Sequence, residues 1–210
     1  AYEVGGRLVG SEMGRRDRTI DLVEYYNLVL DNGTKSTEGN TTITNNVTVQ
    51  SDATLNSGAG DDDLTIGGDF TNSGTFIGTA GGSVVTEKIT FNGASSDGES
   101  CPAIVDPNLS LVINKTNASG NVTFGGTCSF DAVTVTDGIM DIATNTITAD
   151  DAISVADGAQ MKISTGAFNA DGTFTANSSG AVTFSDAGAL ILSNTVTLLS
   201  KPALTLFLRF

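Results

Sequence analysis

The chain runs to 210 residues, 39% of them hydrophobic and 16% charged, with a net charge of −14 and a pI near 4.1. This is too apolar for a disordered chain, and an evenly acidic surface argues against a nucleic-acid partner. There is no histidine, which excludes Ser–His–Asp and Cys–His catalysis, and no run of apolar residues is long enough for a membrane span.

Residues 1–24 stand apart, carrying Arg7, Arg15, Arg16 and Arg18 out of ten basic residues in all, and read as an N-terminal arm or cap. Ala1 is expected to be a mature terminus left by signal cleavage. From Leu28 onward the chain is written in short apolar–Thr–apolar triplets separated by Gly, Asp, Asn and Ser: Leu64-Thr65-Ile66, Val133-Thr134-Val135, Ile153-Ser154-Val155, Val182-Thr183-Phe184. Alternation with period two between turn signals predicts strands, and no helix-length apolar stripe interrupts them. Strands this short cannot each bury a face alone, whereas stacked coils can. The expected fold is all-β, a right-handed parallel β-helix (β-solenoid) with an N-terminal arm. The alternative is a β-sandwich of pilus-subunit type, with antiparallel pairing. The apolar member of each pair is expected inward, from Leu28 and Leu30 through Phe70, Phe76, Phe91, Ile142 and Phe174 to Phe184, Leu190 and Leu192, with Thr outward.

Two related halves are read at 25–107 and 108–199. Leu28-Val29-Leu30 matches Leu111-Val112-Ile113 at an offset of 83 residues, and Leu64-Thr65-Ile66 matches Ile147-Thr148-Ala149 at the same offset. Coils of about 20 residues would place roughly four in each half. Phe91 to Pro107 breaks the rhythm and reads as a loop bulging from the seam. Residues 200–210 form an apolar terminal strand, with Leu204, Leu206, Phe207, Leu208 and Phe210. That strand and the four arginines are the expected assembly interface between copies, since an open solenoid end exposes strand edges and core side chains.

Asp69-Phe70-Thr71-Asn72-Ser73-Gly74-Thr75-Phe76, then Ile89-Thr90-Phe91-Asn92-Gly93, Leu109-Ser110-Leu111-Val112-Ile113-Asn114-Lys115 and Asp137-Gly138-Ile139-Met140-Asp141-Ile142 resemble blocks that recur in bacterial cell-surface proteins. The resemblance is to the parallel β-helix repeats of adhesins, autotransporter passengers and haemagglutinin-like exoproteins. It implies a scaffold at the cell surface and says little about activity.

Several residue groups invite chemistry. Ser57 to Asp69 is similar to the calcium nonapeptide of β-rolls, with Asp61, Asp62, Asp63 and Asp69 as candidate ligands. Calcium is thus the one cofactor admitted, although the second copy of the motif fails and an acidic solvated turn explains it as well. Cys101 and Cys128, about one coil plus a loop apart, are expected to form a disulfide in an oxidising compartment. Asn-x-Ser/Thr sequons occur at Asn32, Asn40, Asn46, Asn108, Asn114, Asn117, Asn121 and Asn177. Asp137 and Asp157 have coil spacing suited to a polysaccharide-active β-helix enzyme, but each precedes glycine and reads as a turn former. The expectation is therefore a non-enzymatic, extracellular structural protein that assembles with copies of itself into a filament, sheath or surface layer. The alternative is an adhesin or passenger module contacting carbohydrate or matrix.

Overall fold

The computed structural model describes residues 19–20, 24–37, 39–57, 62–78, 87–94, 99–177 and 181–198. Every strand pairing in it is parallel, and the described residues contain no helix. The molecule is a β-solenoid, and its uniformly parallel pairing rules out the antiparallel sandwich.

One sheet runs the length of the stack and forms its first face. Its nine strands are Glu24–Tyr25, Thr41–Ile43, Leu64–Ile66, Lys88–Phe91, Ser110–Asn114, Val133–Asp137, Ile153–Val155, Phe174–Ala176 and Val196–Leu198. Each lies one coil from the next: Ile43 pairs with Ile66, Ile66 with Phe91, Ile113 with Val135, Val135 with Val155, and Val155 with Ala176. Phe91 pairs with Ile113, so this sheet passes without a break across the expected boundary at 107/108.

The other two faces are built differently along the stack. In the lower coils, Leu28–Thr37 and Val47–Asn56 are long strands that serve both faces, with a register shift between Leu30 and Asn32. An extra residue on one strand of a pair bends it, so one strand turns the corner. In the upper coils the second face is Glu99–Cys101, Asn121–Phe124, Ile139–Asp141, Gln160–Ile163 and Ala181–Phe184. The third is Cys128–Phe130, Thr146–Ala149, Ala167–Ala170 and Ala189–Leu192.

The interior is a set of columns, as alternation requires. Val122, Met140, Met161 and Val182 stack on the second face. Phe130, Ala149 and Ala170 stack on the third beside Cys128, Ile147 and Phe168, so large and small residues interdigitate. Phe124 and Phe130 meet edge to face at 6.3 Å across a corner, as Phe70 and Phe76 do at 5.2 Å. Burial of each such side chain is worth about 1.5–3 kcal/mol.

Most residues expected inward are buried, including Leu28, Val47, Leu64, Phe91, Ile142 and Phe174. Phe76, Leu190 and Leu192 are only half-buried and Phe184 is 37% exposed. The last three sit in the uppermost described coil. Thr37 and Thr41 depart from the outward rule and are buried at a corner. Of the expected loop Phe91–Pro107, residues 95–98 lie outside the described residues, and much of the rest takes part in pairing. Glu99–Cys101 pairs with Val122–Phe124, and Val105 bridges Ser129, so these residues lie in the coil.

Candidate functional site

The corners carry most of the polar side chains singled out from sequence. Between the first and second faces, the side-chain oxygen of Asn27 accepts from the Asn46 N–H at 3.1 Å. That of Asn46 accepts from the Asp69 N–H at 2.9 Å, and that of Asp69 from the Ser100 N–H at 2.7 Å and its hydroxyl at 3.0 Å. Between the third and first faces, Asn40 Oδ1 accepts from the Asp63 N–H and Asp63 Oδ1 from the Lys88 N–H, with Lys88 Nζ 3.8 Å from Asp63 Oδ2. Each residue caps the backbone of the next coil, which a solenoid corner needs because its N–H groups leave the sheet ladder.

The described candidate calcium ligands are engaged in or beside these corners. Asp63 and Asp69 stand at opposite ends of the strand Leu64–Ile66, committed to different corners, and Asp62 is half-buried beside the first of them. Asp61 lies outside the described residues. Among the described residues no group of three or more acidic or Cys ligands is placed to hold a metal ion.

The expected disulfide is corrected: Cys101 and Cys128 are free and both buried. Register is the reason. Cys101 lies beneath Phe124 on the second face and Cys128 beneath Ile147 on the third, so the thiols flank a corner rather than share a column. Both sulfurs face the Pro102 carbonyl, at 3.5 and 3.6 Å, and Cys128 Sγ accepts from the Ile104 N–H. Burial pushes the Cys101 thiol well above the usual range, with the neighbouring Cys128 adding to it. Burial likewise pushes Cys128 up to about 11, against a smaller lowering by the Ile104 N–H.

Asp137 and Asp157 occupy equivalent turns, each followed by a glycine at φ 83°. Asp137 Oδ1 accepts from the Gly138 N–H at 2.7 Å, which is turn chemistry. Of the sequons, Asn32, Asn108 and Asn114 are exposed. Asn40 is exposed but caps a corner, Asn117 accepts from the Ser119 N–H, and Asn177 is half-buried. Asn46 and Asn121 are built into the coil, the Asn121 side-chain oxygen being fully enclosed. Arg7, Arg15, Arg16, Arg18, Leu204, Leu206, Phe207, Leu208 and Phe210 lie outside the described residues.

Two features were not read from the sequence. The first is the difference between the ends of the stack. Leu28 and Leu30, in the lowest coils, are 0% and 5% exposed, whereas the inward residues Phe184 and Val196 in the highest are 37% and 38% exposed. The second is a single outward row along the first face: Thr42, Thr65, Thr90, Val112, Thr134, Ser154, Thr175 and Thr197, registered strand on strand. Adjacent strands place its side chains about 4.8 Å apart. The triplets hold this row in plain sight, but only the register makes it one line.

Comparison with known proteins gives no match: no family model, no curated protein and no solved structure matches the chain. The resemblance to surface β-helix repeats therefore rests on the quoted blocks alone.

Proposed function

We propose that the protein is a non-enzymatic structural subunit of an extracellular filament, sheath or surface layer, assembling end to end with copies of itself. The observation that carries this reading is the unlike pair of ends of the described stack, with Leu28 and Leu30 buried at one and Phe184, Val196 and half-buried Leu190 and Leu192 at the other. A solenoid that remains monomeric needs a polar cap at such an end. Subunits of net charge −14 repel one another, and the arm arginines Arg7, Arg15, Arg16 and Arg18 supply cations that offset this when laid on a neighbour's acidic body. Light scattering on a size-exclusion column, with negative-stain images, tests the proposal. Concentration-dependent oligomers or filaments are expected, and a strict monomer at every concentration rejects it. Val196→Asp should abolish assembly and leave the β-type circular dichroism intact.

A second reading, a surface module contacting carbohydrate, is favoured by the outward hydroxyl row. Co-sedimentation with insoluble polysaccharides tests it. Binding lost on changing Thr90, Thr134 and Thr175 together to Lys supports the row as the contact, and no binding to any of them rejects it.

A further inference from the structure

The outward row of the first face repeats one chemical group. Six of its eight members are threonine and a seventh is serine, with Val112 the exception. The row carries no charge, in a chain with 24 acidic and 10 basic residues. The other faces do not share this pattern. On the second face the outward column sets Asp141 against Lys162, and on the third it passes from Thr148 through Asn169 to Ile191. The row is also stiff. A branched Cβ restricts χ1, and the parallel register repeats the same setting on each rung. Hydroxyls both donate and accept, as water does, whereas a carboxylate only accepts.

A row of hydroxyls at a fixed repeat selects a partner with a similar repeat. Adjacent rungs are about 4.8 Å apart. In ice each water bonds tetrahedrally at about 2.75 Å, so two waters that share a neighbour stand about 4.5 Å apart. The difference of about 0.3 Å per rung accumulates to about 2 Å over the full row, more than a hydrogen bond absorbs. Val112 divides the row into a run of three, Thr42, Thr65 and Thr90, and a run of four from Thr134 to Thr197. With each run centred on the lattice separately, no hydroxyl is displaced by more than about 0.5 Å, within the ordinary spread of hydrogen-bond lengths. We propose that the first face binds ice, its hydroxyls taking water positions of the lattice surface in two runs on either side of Val112. This assigns the row a different partner from carbohydrate, and it depends neither on that reading nor on assembly.

The test is the partition of the full chain into ice grown slowly from a stirred solution, against a reference protein of similar size and charge without such a row. The chain is expected in the ice and the reference in the liquid. Changing Thr90, Thr134 and Thr175 together to Lys removes three hydroxyl contacts and should lower the fraction taken up at least about tenfold. Thr123→Lys with Thr183→Lys, outward on the second face, should leave it unchanged. Circular dichroism checks that each variant keeps its β fold. Should the triple variant unfold, Thr175→Lys alone is read instead, with an expected loss of about fivefold. Exclusion of the parent chain from ice overturns the proposal. If the excluded chain sediments with insoluble polysaccharide, the row belongs to the carbohydrate reading. Equal losses from the first-face and second-face variants also overturn it.

Discussion

The lower coils and the upper coils close the same three-sided circuit by different means. Below, bent strands carry the chain round one corner, and a ladder of side-chain oxygens from Asn27, Asn46 and Asp69 pins another. Above, separate short strands meet at turns bonded from coil to coil by the backbone, as in Gln160 N–H to Gly138 O and Asp151 N–H to Asp131 O, and by single side chains such as Asn145, whose Nδ2 donates to Phe124 O. One lower corner is thus distinguished by an unbroken ladder of side-chain oxygens, and the upper coils by the repeated glycine turns at Gly138 and Gly158. In the lower coils the carboxylates of Asp63 and Asp69 both cap the backbone of the next coil, at different corners.

The largest expected effect is common to both regions and depends on position in the stack. Phe168→Ala, one coil below the uppermost described one and fully buried, should cost about 3–5 kcal/mol in urea unfolding. Phe184→Ala, in the uppermost described coil and already 37% exposed, should cost less than about half of that. The upper corners are sharpened by a matched pair of glycines. Gly138 and Gly158 share a φ of 83°, but a Cβ at Gly138 would come within 2.6 Å of Lys115 Cβ, whereas at Gly158 it meets nothing within 4 Å. Gly158→Ala should cost about 1–2 kcal/mol of left-handed strain alone, and Gly138→Ala clearly more. The lower corners are tested by Asn46→Ala, which strands the Asp69 N–H and should cost about 1–2 kcal/mol, with Asn46→Asp retaining most of it.

Smaller still is the effect of Asp131, whose carboxyl is raised above its ordinary range by burial first and by the charges of Asp151 and Asp150 next. A raised acid contributes stability below its unfolded pKa and loses it as pH rises through the folded value. Asp131→Asn should therefore raise the melting temperature at about pH 7 and leave it unchanged at about pH 3, where the parent is already protonated. The thiols should produce no shift at all: intact mass is the same with and without reductant, and both cysteines alkylate only after unfolding.

The fold was legible because the signal is local. Two apolar residues around a threonine, then a turn, fix a strand and its inward side wherever they occur. What was not legible is what depends on the neighbouring coil. Leu28-Val29-Leu30 and Leu111-Val112-Ile113 match in sequence but lie on the second and first faces respectively, and Leu64-Thr65-Ile66 and Ile147-Thr148-Ala149 on the first and third. Three faces share one grammar, so matching triplets cannot tell them apart. The expected disulfide failed in the same way, since spacing cannot say whether two cysteines share a column. The capping roles of Asp63 and Asp69 were not legible because sequence shows the carboxylates but not the N–H groups one coil away that they accept from.

Every partner in this molecule is one coil distant, about 20 residues along the chain, however long the stack becomes. The loop that must close to add a coil is thus always the same size, and its entropic cost does not grow with the protein. Folding becomes a zipper that adds rungs to an existing end, and unfolding runs it in reverse from whichever end is least covered. With the core of the highest described coil partly in water, the zipper opens from the top. Amide protection should then fall off in steps of one coil, from the columns around Phe130 up to Val196–Leu198.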